Sequence, residues 1–139
     1  MRFQGTLTRD GRFWLAEVPM FDAMTQGRSR KEAFEMVADW FVTMVNRPGF
    51  EVEVASSGAY RFEVGSADTA AMIGLLLQRQ RQMSGLTLAA AAQRLGAKSR
   101  NAFARYEQGL TIPTVGKLDE LLRAVAPDRE IIISQHPAK

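Results

Sequence analysis

Apolar and polar residues alternate with period two near the start of the chain, a pattern that predicts paired β-strands. Residues 3–8 and 13–18 form two such runs, and the turn dipeptide Asp10-Gly11 between them favours a β-hairpin. Pro19 is expected to end the second strand because proline has no N–H to donate to a neighbour. Residues 21–26 are interpreted as a third strand at the edge of the sheet.

The period then changes to that of a helix. Ser29 and Glu32 form a capping box, which predicts a helix that begins after Ser29 and ends at Asn46. Its apolar residues recur every three or four positions: Ala33, Phe34, Val37, Trp40, Phe41, Met44 and Val45. Two further alternating runs, 50–55 and 59–64, predict a hairpin that turns at 56–58. The predicted order is β-β-β-α-β-β.

Four helices are predicted in the second half of the chain. The first spans residues 69–83, the second is capped by Thr87, the third spans 99–108 and the fourth is capped by Thr114. Gly96 predicts a tight turn between the second and third helices, because it tolerates positive φ. The apolar residues expected to face inward on the fourth helix are Val115, Leu118, Leu121, Leu122 and Val125.

These elements predict an α+β fold in two parts. A sheet domain is expected over residues 1–66 and an all-α domain over residues 69–126. Pro127 ends the last helix. Residues 127–139 are expected to form a short strand and a tail, because residues 129–134 (R-E-I-I-I-S) contain three consecutive β-branched isoleucines. The His136 region is expected to be mobile.

Composition excludes several classes of protein. The 139 residues include no cysteine, so neither a disulfide framework nor a thiolate metal site is possible. No run approaches the ~20 apolar residues of a membrane span, and the first residues do not resemble a signal peptide. We expect a cytoplasmic protein with no membrane partner, no metal and no cofactor.

Charge is unevenly distributed along the chain. Residues 1–65 carry eight basic and nine acidic side chains, whereas residues 66–139 carry ten basic and six acidic ones. No acidic residue occurs from 69 to 106. The cations in that stretch are Arg79, Arg81, Arg94, Lys98, Arg100 and Arg105. Such a surface repels itself unless its partner is a polyanion. Together with the side chains described next, this charge predicts double-stranded DNA as the partner.

The third predicted helix carries side chains suited to reading DNA. Arg100 and Arg105 can bond two acceptors on guanine, and Asn101 can pair with adenine. Ser99 is expected to cap this helix and hold a phosphate. Thr87 and Lys98 complete the set of expected DNA contacts. The competing interpretation is a solvated, helix-favouring face.

Four carboxylates in the first half raise the question of metal-dependent nuclease activity. They are Asp10, Glu17, Asp22 and Asp39. Asp10 is accounted for by its place in the turn, and Asp39 is accounted for by its place on a solvated helix face. No histidine and no glycine-rich phosphate loop lies in this half. We do not expect an enzyme.

Residues 70–126 resemble the helix-turn-helix domain of phage-repressor (XRE-like) proteins. The matching motifs are T…A-x-x-L-G from Thr87, S-R-x-x-x-x-R-Y-E-x-G from Ser99, and P-x-x-x-x-L from Pro113. The resemblance implies that the third helix lies in the major groove. It also implies an ion pair with a structural role between Arg81 and Glu107. Leu88 departs from the family's usual glutamine, and the turn before Ser99 is one residue longer.

Residues 2–65 resemble the HicB antitoxin family. The marks are a hairpin that ends at Pro19, the T-Q-G segment 25–27 and a helix from Arg30. The resemblance implies a partial ribonuclease-H-like fold without nuclease activity. Residues 21–24 (F-D-A-M) replace the proline-glycine-cysteine step of many members.

Together the two resemblances imply an antitoxin of the HicA–HicB type. It would neutralise a small mRNA-cleaving toxin and repress its own operon as a homodimer or larger oligomer on operator DNA. Nothing in the composition or periodicity shows the toxin. The alternative is a transcriptional repressor that senses a ligand and has no toxin partner, with the apolar face of Phe34, Trp40 and Phe41 lining a pocket.

Overall fold

The computed structural model describes residues 1–96 and 101–137. The strands within these residues are β1 (Arg2–Asp10), β2 (Phe13–Val18), β3 (Ala23–Gly27), β4 (Glu53–Gly58) and β5 (Arg61–Gly65). The helices are α1 (Arg30–Val45), α2 (Thr69–Met83), α3 (Leu88–Arg94), α4 (Asn101–Glu107) and α5 (Val115–Val125). The predicted α+β class and the order β-β-β-α-β-β are confirmed.

The five strands form one antiparallel sheet in the order β3-β2-β1-β5-β4. Alternate residues of β1 point to opposite faces, so Phe3 and Leu7 are buried while Gln4, Thr6 and Thr8 are exposed. Helix α1 packs on the buried face, against β2, β3 and β4.

Local capping explains where α1 begins. The Ser29 hydroxyl accepts a hydrogen bond from the Glu32 N–H at 3.0 Å, and the Glu32 carboxylate accepts one from the Arg28 N–H at 3.3 Å. The helix ends where Asn46 adopts a left-handed conformation with φ +50°. The predicted start and end of this helix are confirmed.

Two boundaries in the first half differ from the prediction. Pro19–Phe21 forms a 3-10 turn, so β3 begins only at Ala23. The Phe21 ring is fully buried between Phe3 and Phe41, and this packing outweighs strand pairing. In the second hairpin, β4 continues to Gly58 through a bulge, and the predicted turn at 56–58 lies instead at residues 59–60.

Helix α2 joins the two halves of the chain. Seven consecutive residues from Ala71 to Leu77 are buried, since the helix packs against the sheet domain on one side and α4 and α5 on the other. Gln80 is 2% exposed and donates to the Met20 carbonyl at 2.7 Å. Arg79 donates to the Phe21 carbonyl at 2.7 Å. The buried core therefore runs through both halves.

The predicted terminal strand is absent from the structure. Residues 129–137 have no regular secondary structure, because no strand of the described chain pairs with them. The Arg129 side chain nevertheless folds back and donates to Gln80 Oε1 at 3.1 Å and to the Ser84 hydroxyl at 3.0 Å. Val115, predicted to face inward on α5, is 77% exposed.

Candidate nucleic-acid interface

Two short helices, α3 and α4, form the centre of the candidate site. The Thr87 hydroxyl caps α3 by accepting from the Ala90 N–H at 3.1 Å, so this hydroxyl has a structural role in the isolated chain. Gly96 follows α3 with φ +76°, the left-handed conformation predicted for it.

Helix α4 presents the polar side chains expected to read DNA. Phe103 is fully buried beneath it, whereas Asn101 and Arg105 are exposed. Residues four apart lie on the same side of a helix, so Asn101 and Arg105 face solvent together. Lys98, Ser99 and Arg100 lie outside the described residues, and so does the predicted start of this helix at Ser99.

Arg81 and Glu107 form the ion pair that the resemblance implies. The guanidinium donates in bidentate fashion, from Nε to Glu107 Oε2 at 2.6 Å and from Nη2 to Oε1 at 3.0 Å. The two side chains are only 12% and 10% exposed. Nη1 of Arg81 also donates to the Leu86 carbonyl at 2.8 Å. One arginine therefore ties α2, the start of α3 and the end of α4 together.

A second arginine, which the sequence reasoning missed, holds the end of α4 from the sheet domain. Arg47 donates to the Gln108 carbonyl at 2.7 Å and to the Gly109 carbonyl at 3.1 Å. It also donates to Asp68 Oδ2 at 3.0 Å. The last carbonyls of a helix have no hydrogen-bond donor within the helix. Arg47 therefore supplies hydrogen bonds that water would otherwise have to provide. Its two carbonyl partners lie 61 and 62 residues away, and no local sequence signal marks Arg47.

The backbones of α2 and of the turn after α4 are in close contact. A Cβ atom at Gly74 would lie 2.8 Å from the Glu107 carbonyl oxygen and 2.9 Å from Gly109 Cα. Gly109 itself has φ +67°. Glycine at both positions therefore allows α4 to end directly against α2.

A cleft of about 290 Å³ adjoins α4. Arg105 and Lys117 both line it, together with Tyr106 and Thr111. The first residues of α5 thus add a cation beside the exposed face of α4. Lys117 was not among the predicted DNA contacts.

The structure does not bring the carboxylates of the first half together. Asp10 lies at the turn between β1 and β2, whereas Asp22 lies at the other end of β2. Asp39 is exposed on α1. In the described part of the chain, no three histidine, aspartate or glutamate side chains are placed to hold a metal ion.

Comparison with known proteins supports the helix-turn-helix interpretation. Residues 73–130 match the family model of a helix-turn-helix domain. The C-terminal half therefore resembles a DNA-binding domain, in agreement with the geometry of α3 and α4. No curated protein matches the chain. Among the residues that the structure describes, no helix is long and apolar enough to cross a membrane.

Proposed function

We propose that this chain is a transcriptional repressor that reads an operator through α4 and that also serves as an antitoxin of the HicA–HicB type. The observation that carries the DNA-binding part is the pair Asn101 and Arg105, exposed on a helix that Arg81 and Arg47 hold in place. Arginine and asparagine at this spacing can hydrogen-bond base edges in the major groove. The proposed function includes no catalytic step.

Replacing Arg105 with alanine tests base reading. Loss of a bidentate contact to guanine costs about 1–3 kcal/mol, so the variant is expected to bind operator DNA about 5- to 150-fold more weakly. It is also expected to lose its preference at one base pair. Affinities for operator duplexes that carry each base at each position, measured by fluorescence anisotropy at fixed salt, check both effects.

Arg123→Ala provides the matched control for Arg105→Ala. Arg123 is 78% exposed on α5 and pairs with Asp119 at 3.1 Å. The substitution therefore removes one arginine without changing α4. We expect near-normal selectivity for this control. An equal loss by Arg105→Ala on operator and on random duplex would show that Arg105 contacts only phosphate.

The repressor is proposed to act as a homodimer, because one helix contacts too few base pairs to be selective. Dimers of this type read two half-sites ~34 Å apart. Ile132 and Ile133 are 86% and 85% exposed, and we propose that this run pairs with a second copy. An exposed apolar run of this kind would otherwise favour aggregation.

Replacing both Ile132 and Ile133 with serine is expected to convert the dimer into a monomer, measured by light scattering after size-exclusion chromatography. Truncation after Pro127 is a less specific test, because it also removes Arg129 and its contacts with Gln80 and Ser84. A double variant that dimerises normally would exclude this interface.

The toxin-neutralising part rests on the resemblance of residues 2–65 to HicB proteins, and the observed β-β-β-α-β-β order supports it. The test is to express the native locus with this chain tagged and to identify co-purifying proteins by mass. We expect a small basic partner at equal stoichiometry. A chain that purifies alone while still binding operator DNA would favour the ligand-sensing repressor.

A further inference from the structure

Six cations gather at one end of the sheet domain. This end consists of the β1–β2 turn, the β4–β5 turn and the start of α1, which the antiparallel order brings together. We call it the basic end, and its cations are Arg9, Arg12, Arg28, Arg30, Lys31 and Arg61. All of them except the half-buried Arg30 are exposed.

These cations differ from the other arginines of the sheet domain in having no carboxylate partner. Arg2 pairs with Glu63 at 3.1 Å, and Arg47 pairs with Asp68 at 3.0 Å. Within residues 1–96 and 101–137, no carboxylate oxygen lies within 4.0 Å of a charged nitrogen at the basic end. Asp10 and Glu32 also lie at this end, so the six cations leave a net positive charge there, and such a charge attracts a polyanion.

Aromatic rings lie among these cations. The guanidinium carbons of Arg9 and Arg30 lie 5.3 Å and 6.0 Å from the centre of the Trp14 ring. The Tyr60 ring lies 6.3 Å from Trp14 and is tilted by 31° relative to it. Tyr60 is 59% exposed, so its ring is accessible to a ligand.

The positions of two of these arginines are fixed within the domain. Arg30 donates to the Gly58 carbonyl at 3.2 Å and to the Ser56 hydroxyl at 3.3 Å. Arg9 donates to the Gly11 carbonyl at 3.3 Å. The guanidinium groups therefore need little further ordering before they bind a ligand.

We propose that the basic end binds single-stranded nucleic acid, with phosphates on the arginines and an unpaired base stacked on Tyr60. A base within a duplex is already stacked on its neighbours, whereas an unpaired base has a face available for an aromatic ring. The α-helical half packs against the opposite end of the sheet, through Met20, Phe21 and Arg47. Within residues 1–96 and 101–137, the cations of the basic end other than Arg30 stay exposed. This site is separate from α4 and does not depend on operator binding.

The test uses the full chain and a labelled oligothymidine of about 12 nucleotides, a length within the range that single-strand-binding domains contact. An oligouridine of the same length distinguishes RNA from DNA as the preferred strand. Tyr60→Ala is expected to weaken binding by about five-fold or more through lost stacking. Arg12→Gln is expected to make the salt dependence shallower, by about 0.7 in the slope of log affinity against log salt concentration.

Arg2→Gln is the matched control, because Arg2 lies on β1 at the opposite end of the sheet from the β1–β2 turn. It is expected to change neither the affinity nor the salt slope. The Arg105→Ala variant is expected to bind the single strand normally although it binds operator DNA weakly. The two binding activities are therefore tested independently of each other. The proposal is overturned if Tyr60→Ala and Arg12→Gln bind like the unmodified protein. It is also overturned if an acidic peptide of equal charge competes as well as the oligonucleotide.

Discussion

Replacing Arg81 with methionine is expected to lower the free energy of unfolding by about 3–5 kcal/mol, because the substitution leaves the Glu107 carboxylate, which is only 10% exposed, without its partner. This loss is a large part of the ~5–15 kcal/mol that stabilises a typical domain. The Leu86 carbonyl also loses its donor, at 2.8 Å. Urea unfolding followed by circular dichroism measures the change, as a shift in midpoint at constant slope.

Three comparisons separate the ion pair from general effects of substitution at Arg81. Arg81→Lys keeps the charge but cannot donate from two nitrogens in the same plane, so an intermediate loss is expected. The double variant Arg81→Met with Glu107→Leu removes both charges and is expected to recover much of the stability. Arg123→Ala, which breaks an exposed pair, is expected to cost no more than about 0.5 kcal/mol. An unfolding midpoint unchanged by Arg81→Met would show that the pair contributes nothing.

Local signals in the sequence predicted most helix starts and the broad order of elements. Ser29, Thr87 and Thr114 each accept a hydrogen bond from a backbone N–H of the first turn, as their types and positions indicated. These signals work at a distance of two or three residues. Where the local signals gave the wrong ends of strands and turns, side-chain packing had determined those ends. Phe21 belongs to a 3-10 turn because its ring fills the core beneath α1.

Contacts between distant residues had no such signal. Arg47 follows a helix and precedes a proline, which describes many solvated arginines, yet it holds the end of α4. The basic end arises because three segments separated in sequence meet at one end of the sheet, while the net charge of residues 1–65 is nearly balanced. The ion pair between Arg81 and Glu107 could be predicted only from a family resemblance, because the two residues are 26 positions apart in the sequence.

Gly74 shows how close α2 and α4 approach, and its replacement with alanine is expected to destabilise the protein by about 1–3 kcal/mol. In an unpacked helix the same change would be favourable by about 0.5–1 kcal/mol, because glycine loses more backbone entropy on folding. At Gly74 the new methyl group would meet backbone atoms of Glu107 and Gly109 at 2.8–2.9 Å, and backbone cannot rotate away as a side chain can. The helices must separate, which also moves Asn101 and Arg105, the side chains proposed to read DNA, relative to the rest of the domain.

Gly116→Ala in α5 is the matched control for Gly74→Ala. A Cβ atom at Gly116 meets nothing within 4 Å, so this variant is expected to gain about 0.5–1 kcal/mol of stability. The same substitution at two helical glycines is thus expected to change the free energy of unfolding in opposite directions. Urea unfolding of both variants measures the signs, and operator affinity is expected to fall only for Gly74→Ala. A gain in stability from Gly74→Ala would mean that α2 and α4 do not touch as described. Arg81 and Arg47 would then have to fix the proposed DNA-reading helix α4 through a different geometry.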